Sequence, residues 1–241
     1  MTARALAGQV ALVTGGGSGI GRSTALMLAA EGARVVVMGR RMEPLEAVVA
    51  EIHAAGGQAW ARQADLQDRG QLQALVRWIE ADDWEAAVSV NLTAVYVLIQ
   101  AVLPGMLAAG AGTIVTVSSL AAVRPNLLGG APYGAAKAAV ANLMGFMHAT
   151  FRNNNIRSTT ILPGEVDTPI MDTRVRPPTA AERAAMVAPD DVARAILLAC
   201  TLPQGTTIEQ LVISPTRARD QGPDIEISRW LGAPDGTPGK P

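Results

Sequence analysis

Residues 115–137 read VTVSSLAAVRPNLLGGAPYGAAK, and the reading of this stretch decides the fold. The run Thr113-Ile114-Val115-Thr116-Val117 is β-branched throughout and predicts a buried strand, with Ser118 and Ser119 at its carboxyl end. Pro125, Gly129 and Gly130 mark a loop, and a helix opens near Tyr133. Tyr133 and Lys137 are four residues apart, which places them one turn above the other on the same helix face. A phenol ordinarily titrates at about pH 10 and is a poor acid or base at neutrality. A lysine ammonium on the same face favours the phenolate and brings the tyrosine towards useful proton transfer. Such pairs also arise by chance on exposed helices. The serine pair upstream, at the end of a buried strand, is what gives this one weight.

In this order, Ser118-Ser119, Tyr133 and Lys137 resemble the Ser…Tyr-x-x-x-Lys site of the short-chain dehydrogenase/reductase family. The resemblance implies an α/β Rossmann-like fold, a doubly wound parallel sheet with helices on both faces. A chain of 241 residues is enough for one such domain, expected over 1–231. The Gly/Pro-rich tail 232–241 is expected to be disordered.

Composition agrees with this class. The chain is 49% hydrophobic but only 3% aromatic, which predicts a core of Ala, Val, Leu and Ile. A net charge of −1 gives no electrostatic case for nucleic acid or an anionic membrane. Cys200 is the single cysteine and sits in an apolar run, so it reads as a core thiol in a reducing compartment. His53 and His148 share no ligand spacing, and no metal site is expected. The apolar stretch Ala94 to Leu107 is interrupted by Gln100 and Pro104, and the amino terminus runs into a glycine loop. The expectation is a cytoplasmic protein that does not enter a membrane.

Upstream, Gln9 to Thr14 predicts a first strand. It leads into TGGGSGIG (14–21) and then a helical stretch. Strand, glycine turn and helix set bare backbone N–H groups and a helix N-terminus against a pyrophosphate. The spacing Gly15-x-x-x-Gly19-x-Gly21 is the variant typical of the resembled family, which implies cofactor contacts from Gly15, Ser18, Gly19, Ile20 and Gly21. Ala33 to Met38 is a second strand. It ends at Gly39-Arg40-Arg41, where NAD-binding Rossmann domains usually carry an acid for the ribose hydroxyls. Without that acid there is room for a 2′-phosphate, to which guanidinium is suited. NADP(H) is therefore the preferred cofactor, with NAD(H) possible, and Arg40 and Arg41 are the candidate phosphate residues. A helix from Glu43 to Ala55 and a strand from Gln58 to Gln63 follow, and the resemblance places Asp65 and Leu66 at the adenine.

The pattern then breaks. Leu72, Leu75, Val76 and Ile79 have helical spacing, and Asp82-Asp83-Trp84-Glu85 looks like the start of another helix running through Asn91 to about Leu107. Only Ala81 separates the two. The resemblance implies a fourth strand there, which needs about five or six residues and connections on both sides. Losing it would split the sheet at its centre and leave ladder groups unpaired. One alternative is that Ala86 to Val90 serves as the strand. The favoured reading is that a segment has been lost between about Ile79 and Asp83, and the other is a real internal deletion.

Beyond the Tyr133 helix, Arg157 to Leu162 predicts a strand, Asp190 to Cys200 a helix and Ile208 to Ile213 a last strand. Pro163-Gly164-Glu165-Val166-Asp167-Thr168 is similar to the family's Pro-Gly-x-Val-x-Thr turn. That implies Pro163, Gly164, Val166 and Thr168 at the nicotinamide, with Pro169 to Met186 as a substrate lid. The resemblance implies reversible reduction of a carbonyl, or oxidation of an alcohol, on a small molecule. Tyr133 is then the proton donor, Lys137 its support and a ribose contact, Ser119 (with Ser118 as rival) a donor to the carbonyl oxygen, and Asn91 a holder of a relay water. It also implies a homodimer or homotetramer. A catalytically inactive nucleotide-binding or partner subunit is the alternative, because of the missing strand.

Overall fold

The computed structural model describes residues 4–63, 87–124, 128–174 and 176–230. In chain order the first half gives β1 (Val10–Thr14), α1 (Gly19–Ala30), β2 (Arg34–Gly39), α2 (Met42–Ala54) and β3 (Gln58–Gln63). The second half gives α3 (Ala94–Ala109), β4 (Gly112–Val117), α4 (Gly130–Phe151), β5 (Ile156–Pro163), α5 (Ala180–Arg183), α6 (Pro189–Thr201), β6 (Gln210–Ile213) and α7 (Gly222–Trp230). Each strand is a short run rich in β-branched or apolar residues, and β1, β2, β4 and β5 are each followed by a helix that returns the chain for another parallel strand. The fold is the Rossmann-like α/β arrangement expected from the sequence.

The described strands form two three-stranded parallel sheets, β1-β2-β3 and β4-β5-β6, rather than one. Val10 of β1 is opposite Arg34 of β2, and Arg34 is opposite Gln58 of β3. Gly112 of β4 is opposite Ile156 of β5, and Thr160 of β5 is opposite Gln210 of β6. Among the described residues nothing pairs with the remaining edge of β1 or of β4, where the sequence lacks room for a strand. Ala81 and its neighbours lie outside the described residues.

The alternative strand at Ala86 to Val90 is corrected: residues 87 and 88 are α-helical, and Ser89–Thr93 forms a π-helical turn continuous with α3. The last helix, α7, has no counterpart among the sequence expectations. The tail 232–241 lies outside the described residues.

Three core clusters hold the layers. Val13, Val35, Val37 and Ala59 of the first sheet pack with Ala25 and Leu28 of α1 and Leu45, Val48 and Ile52 of α2. On the second sheet, Ile161 packs with Val192 and Ile196 of α6. Its other face packs Ile114 and Ile156 against Ile99 of α3 and Val140, Met144 and Met147 of α4. Helices α1 and α6 lie against each other and tie the two sheets together on one face. Arg157 is buried in β5 and donates to the carbonyls of Cys200 (3.0 Å) and Leu202 (2.6 Å). It thus places a cation on the orphan carbonyls at the end of α6. The carboxyl ends of β1, β4 and β5, at Thr14, Val117 and Pro163, carry the segments singled out in the sequence.

Candidate active site

At the end of β1 the chain turns through Gly15 (φ 65°) and Gly19 (φ 50°), both in the left-handed region that favours glycine. A Cβ at Gly21 would come within 2.2 Å of the Gly15 carbonyl oxygen, so only glycine lets α1 start this close under the turn. A Cβ at Gly19 would meet Thr168 at 3.0 Å, which puts the Pro163–Thr168 turn directly beside the glycine turn. Ser18 is the N-cap of α1 and makes no side-chain cap bond, and Ile20 lies in the first turn and packs into the core. A backbone cradle that a side chain would fill, above a helix N-terminus, fits a dinucleotide phosphate.

The second group sits where β4 meets α4. The Ser118 hydroxyl is buried and donates to the Lys137 backbone carbonyl at 2.8 Å, tying the strand end to the helix. Ser119 does something different: its hydroxyl oxygen accepts from the Ala121 N–H at 3.1 Å and caps the short 3-10 turn Leu120–Ala122. Lys137 Nζ donates to the Val117 carbonyl at 3.2 Å and lies 5.5 Å from the centre of the Tyr133 ring. Burial pushes the Lys137 ammonium down from the ordinary 10.5 to about 8. Lysine occurs elsewhere in the chain only at position 240, and this scarcity was a further sequence signal for Lys137.

Asn91 lies in the π-helical turn, and its side-chain amide donates to the Ala87 carbonyl at 2.9 Å. Such turns are frequent at functional sites because they open the helical ladder locally.

The turn after β5 is anchored by Gly164 N–H donating to the Ile213 carbonyl at 2.7 Å. Val166 is buried and forms a single parallel bridge with Val187. Two hydrogen bonds close this bridge, Val187 N–H to the Glu165 carbonyl (2.9 Å) and Asp167 N–H to the Val187 carbonyl (3.0 Å). The expected lid, Pro169 to Met186, therefore leaves and returns at one point. Sequence reading missed what fills its base. Glu165 receives Arg174 (3.0 Å), Arg219 (2.8 Å twice) and Gln221 (3.1 Å). Burial alone would push the Glu165 carboxyl up, but the bonds from Arg219 and Gln221 and the charges of Arg219 and Arg174 outweigh it and hold it below the carboxylate range. Arg176 pairs with Glu182 (2.7 Å) and with Asp224, and Arg183 pairs with Asp167 (2.6 Å) and with Asp172. These partners are up to 56 residues apart, a pairing that no local spacing could announce.

Arg40 and Arg41 are exposed at the end of β2, and among the described residues neither guanidinium has an ion-pair partner. Asp65 and Leu66 lie outside the described residues. Among the described residues, no group of three His, Cys, Asp or Glu side chains could hold a metal ion. A cavity of about 280 Å3 lined by Arg4, Gly32, Arg34 and Gly57 is at the amino ends of the strands, away from this chemistry. One described helical stretch, Ser89–Ala109, is long and apolar enough to cross a membrane, with mean hydropathy 1.9. It contains the stretch Ala94 to Leu107, which Gln100 and Pro104 interrupt.

A family model described as short chain dehydrogenase matches residues 9–82 and 78–178. The match comes in two pieces that meet where Ala81 separates two predicted helices. The uncharacterized oxidoreductase Lmo0432 of Listeria monocytogenes is 30% identical over 240 residues, covering 86% of this chain and 96% of that protein. Since 86% of the 241 residues here align over 240, about 30 positions of that alignment have no counterpart in this chain. A 3-oxoacyl (acyl-carrier-protein) reductase from Agrobacterium tumefaciens solved with NADP bound has a TM-score of 0.74 at 26% identity, covering 88% of this chain and 95% of its own. A 7α-hydroxysteroid dehydrogenase complexed with NADH and 7-oxo glycochenodeoxycholic acid has a TM-score of 0.78 at 27% identity, covering 91% and 98%.

Proposed function

We propose, because this chain belongs to the short-chain dehydrogenase family, that it moves a hydride between NADP(H) and the carbonyl or secondary alcohol of a small molecule. The chain is an NAD(P)-dependent oxidoreductase. The glycine turn from Gly15 to Gly21 would hold the pyrophosphate, Arg40 with Arg41 the 2′-phosphate, and Pro163, Gly164, Val166 and Thr168 the nicotinamide end. Bound NADPH supplies the hydride, or NADP+ accepts it.

In the reducing direction, Tyr133 Oη gives its proton to the substrate oxygen as that oxygen gains charge, and takes it back in oxidation. Lys137, one turn along the same face, stabilises the phenolate left behind. Ser119 donates a hydrogen bond to the developing oxyanion. The observation that carries this reading is the division of labour between the two serines. The Ser118 proton is committed to the Lys137 carbonyl, whereas Ser119 uses only its oxygen, towards Ala121, and keeps its proton for a substrate. Asn91, within an opened helical turn, is suited to hold a relay water. The presence of Ser119, Tyr133 and Lys137 together supports an enzyme over an inactive nucleotide-binding subunit.

The same reading takes the protein as a cytoplasmic homodimer or homotetramer. Val90 in the π-helical turn, Tyr96, Val97 and Leu107 on α3 and Phe146 on α4 are exposed apolar side chains, which supports a second copy as their cover.

Replacing Tyr133 with phenylalanine tests the proton donor. Turnover should fall about 10²- to 10⁴-fold, with cofactor affinity within a few-fold, since the lost group acts mainly in the transition state. Ser119→Ala should cost more turnover than Ser118→Ala. A Tyr133→Phe variant that keeps most of its activity would remove the basis of the assignment.

A further inference from the structure

We propose that Arg219 is a positioning residue that fixes the lid and the Pro163–Thr168 turn to the carboxyl-terminal helix α7. The inference rests on the reading of that turn as the nicotinamide-binding segment and of residues 169–186 as the lid.

The Arg219 side chain is only 4% exposed, and every partner it has comes from a different part of this region. Its Nε and Nη2 donate side by side to the two oxygens of Glu165, each at 2.8 Å. This is the planar, bidentate form that fixes orientation as well as distance. Its Nη1 pairs with Asp224 of α7 at 2.5 Å and lies 3.7 Å from Glu182 of the lid helix. The remaining donor contact is to the Asp220 carbonyl at 3.4 Å. Arg176 repeats the bridge from the lid side, between Glu182 and Asp224. Arg174 and Gln221 complete the shell around Glu165.

The charges close on themselves. Arg174, Arg176 and Arg219 face Glu165, Glu182 and Asp224, three cations against three carboxylates. The capping box of Thr179 and Glu182 further fixes the orientation of the Glu182 carboxylate. Glu165 lies immediately before Val166, whose bridge to Val187 pins both ends of the lid. Moving Arg219 therefore moves the base of the lid and the cofactor turn together. Among the described residues no hydrogen bond or ion pair joins it to Ser119, Tyr133 or Lys137, so it acts through other residues.

Amide hydrogen exchange on the full chain, with and without NADP+, tests this alongside steady-state kinetics. In the unaltered protein NADP+ should slow exchange both at residues 15–21 and at residues 166–187. Arg219→Met keeps the length and removes the charge. It should cut the NADP+-dependent slowing at 166–187 by about tenfold, the size expected from losing about 1.4 kcal/mol of ordering, while leaving 15–21 within about twofold. KM should rise more than kcat falls, and Arg219→Lys should restore part of both. Asp224→Asn removes the same link from its other end and should give a smaller change of the same pattern. It decides the matter if Arg219→Met does not fold. Unchanged slowing at 166–187, or equal loss at both segments, would overturn the positioning role. No NADP+ effect anywhere in the unaltered protein would instead overturn the cofactor reading on which it rests.

Discussion

β1 and β5 make the sharpest contrast in the molecule. β1 reads VALVT and is almost wholly apolar, yet Val10 is 61% and Leu12 is 42% exposed. β5 reads IRSTTILP, with an arginine, a serine and two threonines, and all eight of its residues are buried. Polarity alone would have assigned the two environments the other way round. What sets burial is what stands beside the strand and on each face of its sheet. β5 lies between β4 and β6, with α6 on one side and α3 and α4 on the other. β1 has β2 on one edge and α1 and α2 on one face, and among the described residues its other edge is unpaired. A continuous apolar run belongs in a parallel sheet covered on both faces. β1 therefore keeps the composition of a central strand while standing at an edge among the described strands. An open, apolar edge of this kind is also a site for unwanted pairing.

Two leucine truncations would break or sharpen the contrast, and they carry the largest expected effect on stability. Leu162 of β5 is 0% exposed, and Leu162→Ala should cost about 2–5 kcal/mol in urea unfolding. Leu12→Ala in β1 should cost less than about 1 kcal/mol, the behaviour of a surface site. Similar losses at both positions would mean that the outer face of β1 is covered in solution.

The two sheets also divide the chemistry. The strand ends of the first carry the glycine turn and Arg40, to which the proposed function gives the cofactor phosphates. Those of the second carry Ser119, the route to Tyr133 and Lys137, and the Pro163–Thr168 turn. Arg40→Ala should weaken NADP(H) by about 10- to 150-fold, the equivalent of one charge-assisted hydrogen bond of about 1.5–3 kcal/mol, and leave NAD(H) within a few-fold. Equal weakening of both cofactors, measured by fluorescence titration, would make Arg40 part of the fold of the first sheet and not a reader of the 2′-phosphate.

Local patterns announced what local physics decides. The strand expected at Gln58 to Gln63 is found at those residues, and the helix expected at Glu43 to Ala55 runs from Met42 to Ala54. The pairing of Tyr133 with Lys137 was legible because a helix converts a spacing of four into one face. Other features depend on the assembled chain. Which serine keeps its proton is decided by the Lys137 carbonyl and the Ala121 N–H, not by residue type. The α7 helix was missed because it is short and is held by Asp224 against Arg176 and Arg219, residues outside the helix. The exposure of β1 was implied by the single residue between two predicted helices, but only the sheet order shows which strand bears it.

The smallest effect is the titration of Lys137, and it tests whether the end of β4 is as enclosed as the rest of the second sheet. Burial favours the neutral amine and sets the folded value at about 8, against an ordinary 10.5. Between these values the unfolded chain holds the proton and the folded chain does not, so stability should rise with pH over that window. Below about 8 both states are protonated and this dependence disappears. The chain has lysines only at 137 and 240, so carbon-13 labelling at lysine Cε gives a two-signal spectrum. In the ligand-free protein one signal should titrate with a midpoint about 8, and in urea both should titrate at about 10.5. The Lys137 signal is identified by its loss in Lys137→Met. If both signals keep the ordinary value in the folded protein, the Lys137 ammonium is open to water. The charge beside the phenol would then be screened, and the contrast between the two sheets would stop short of the active site.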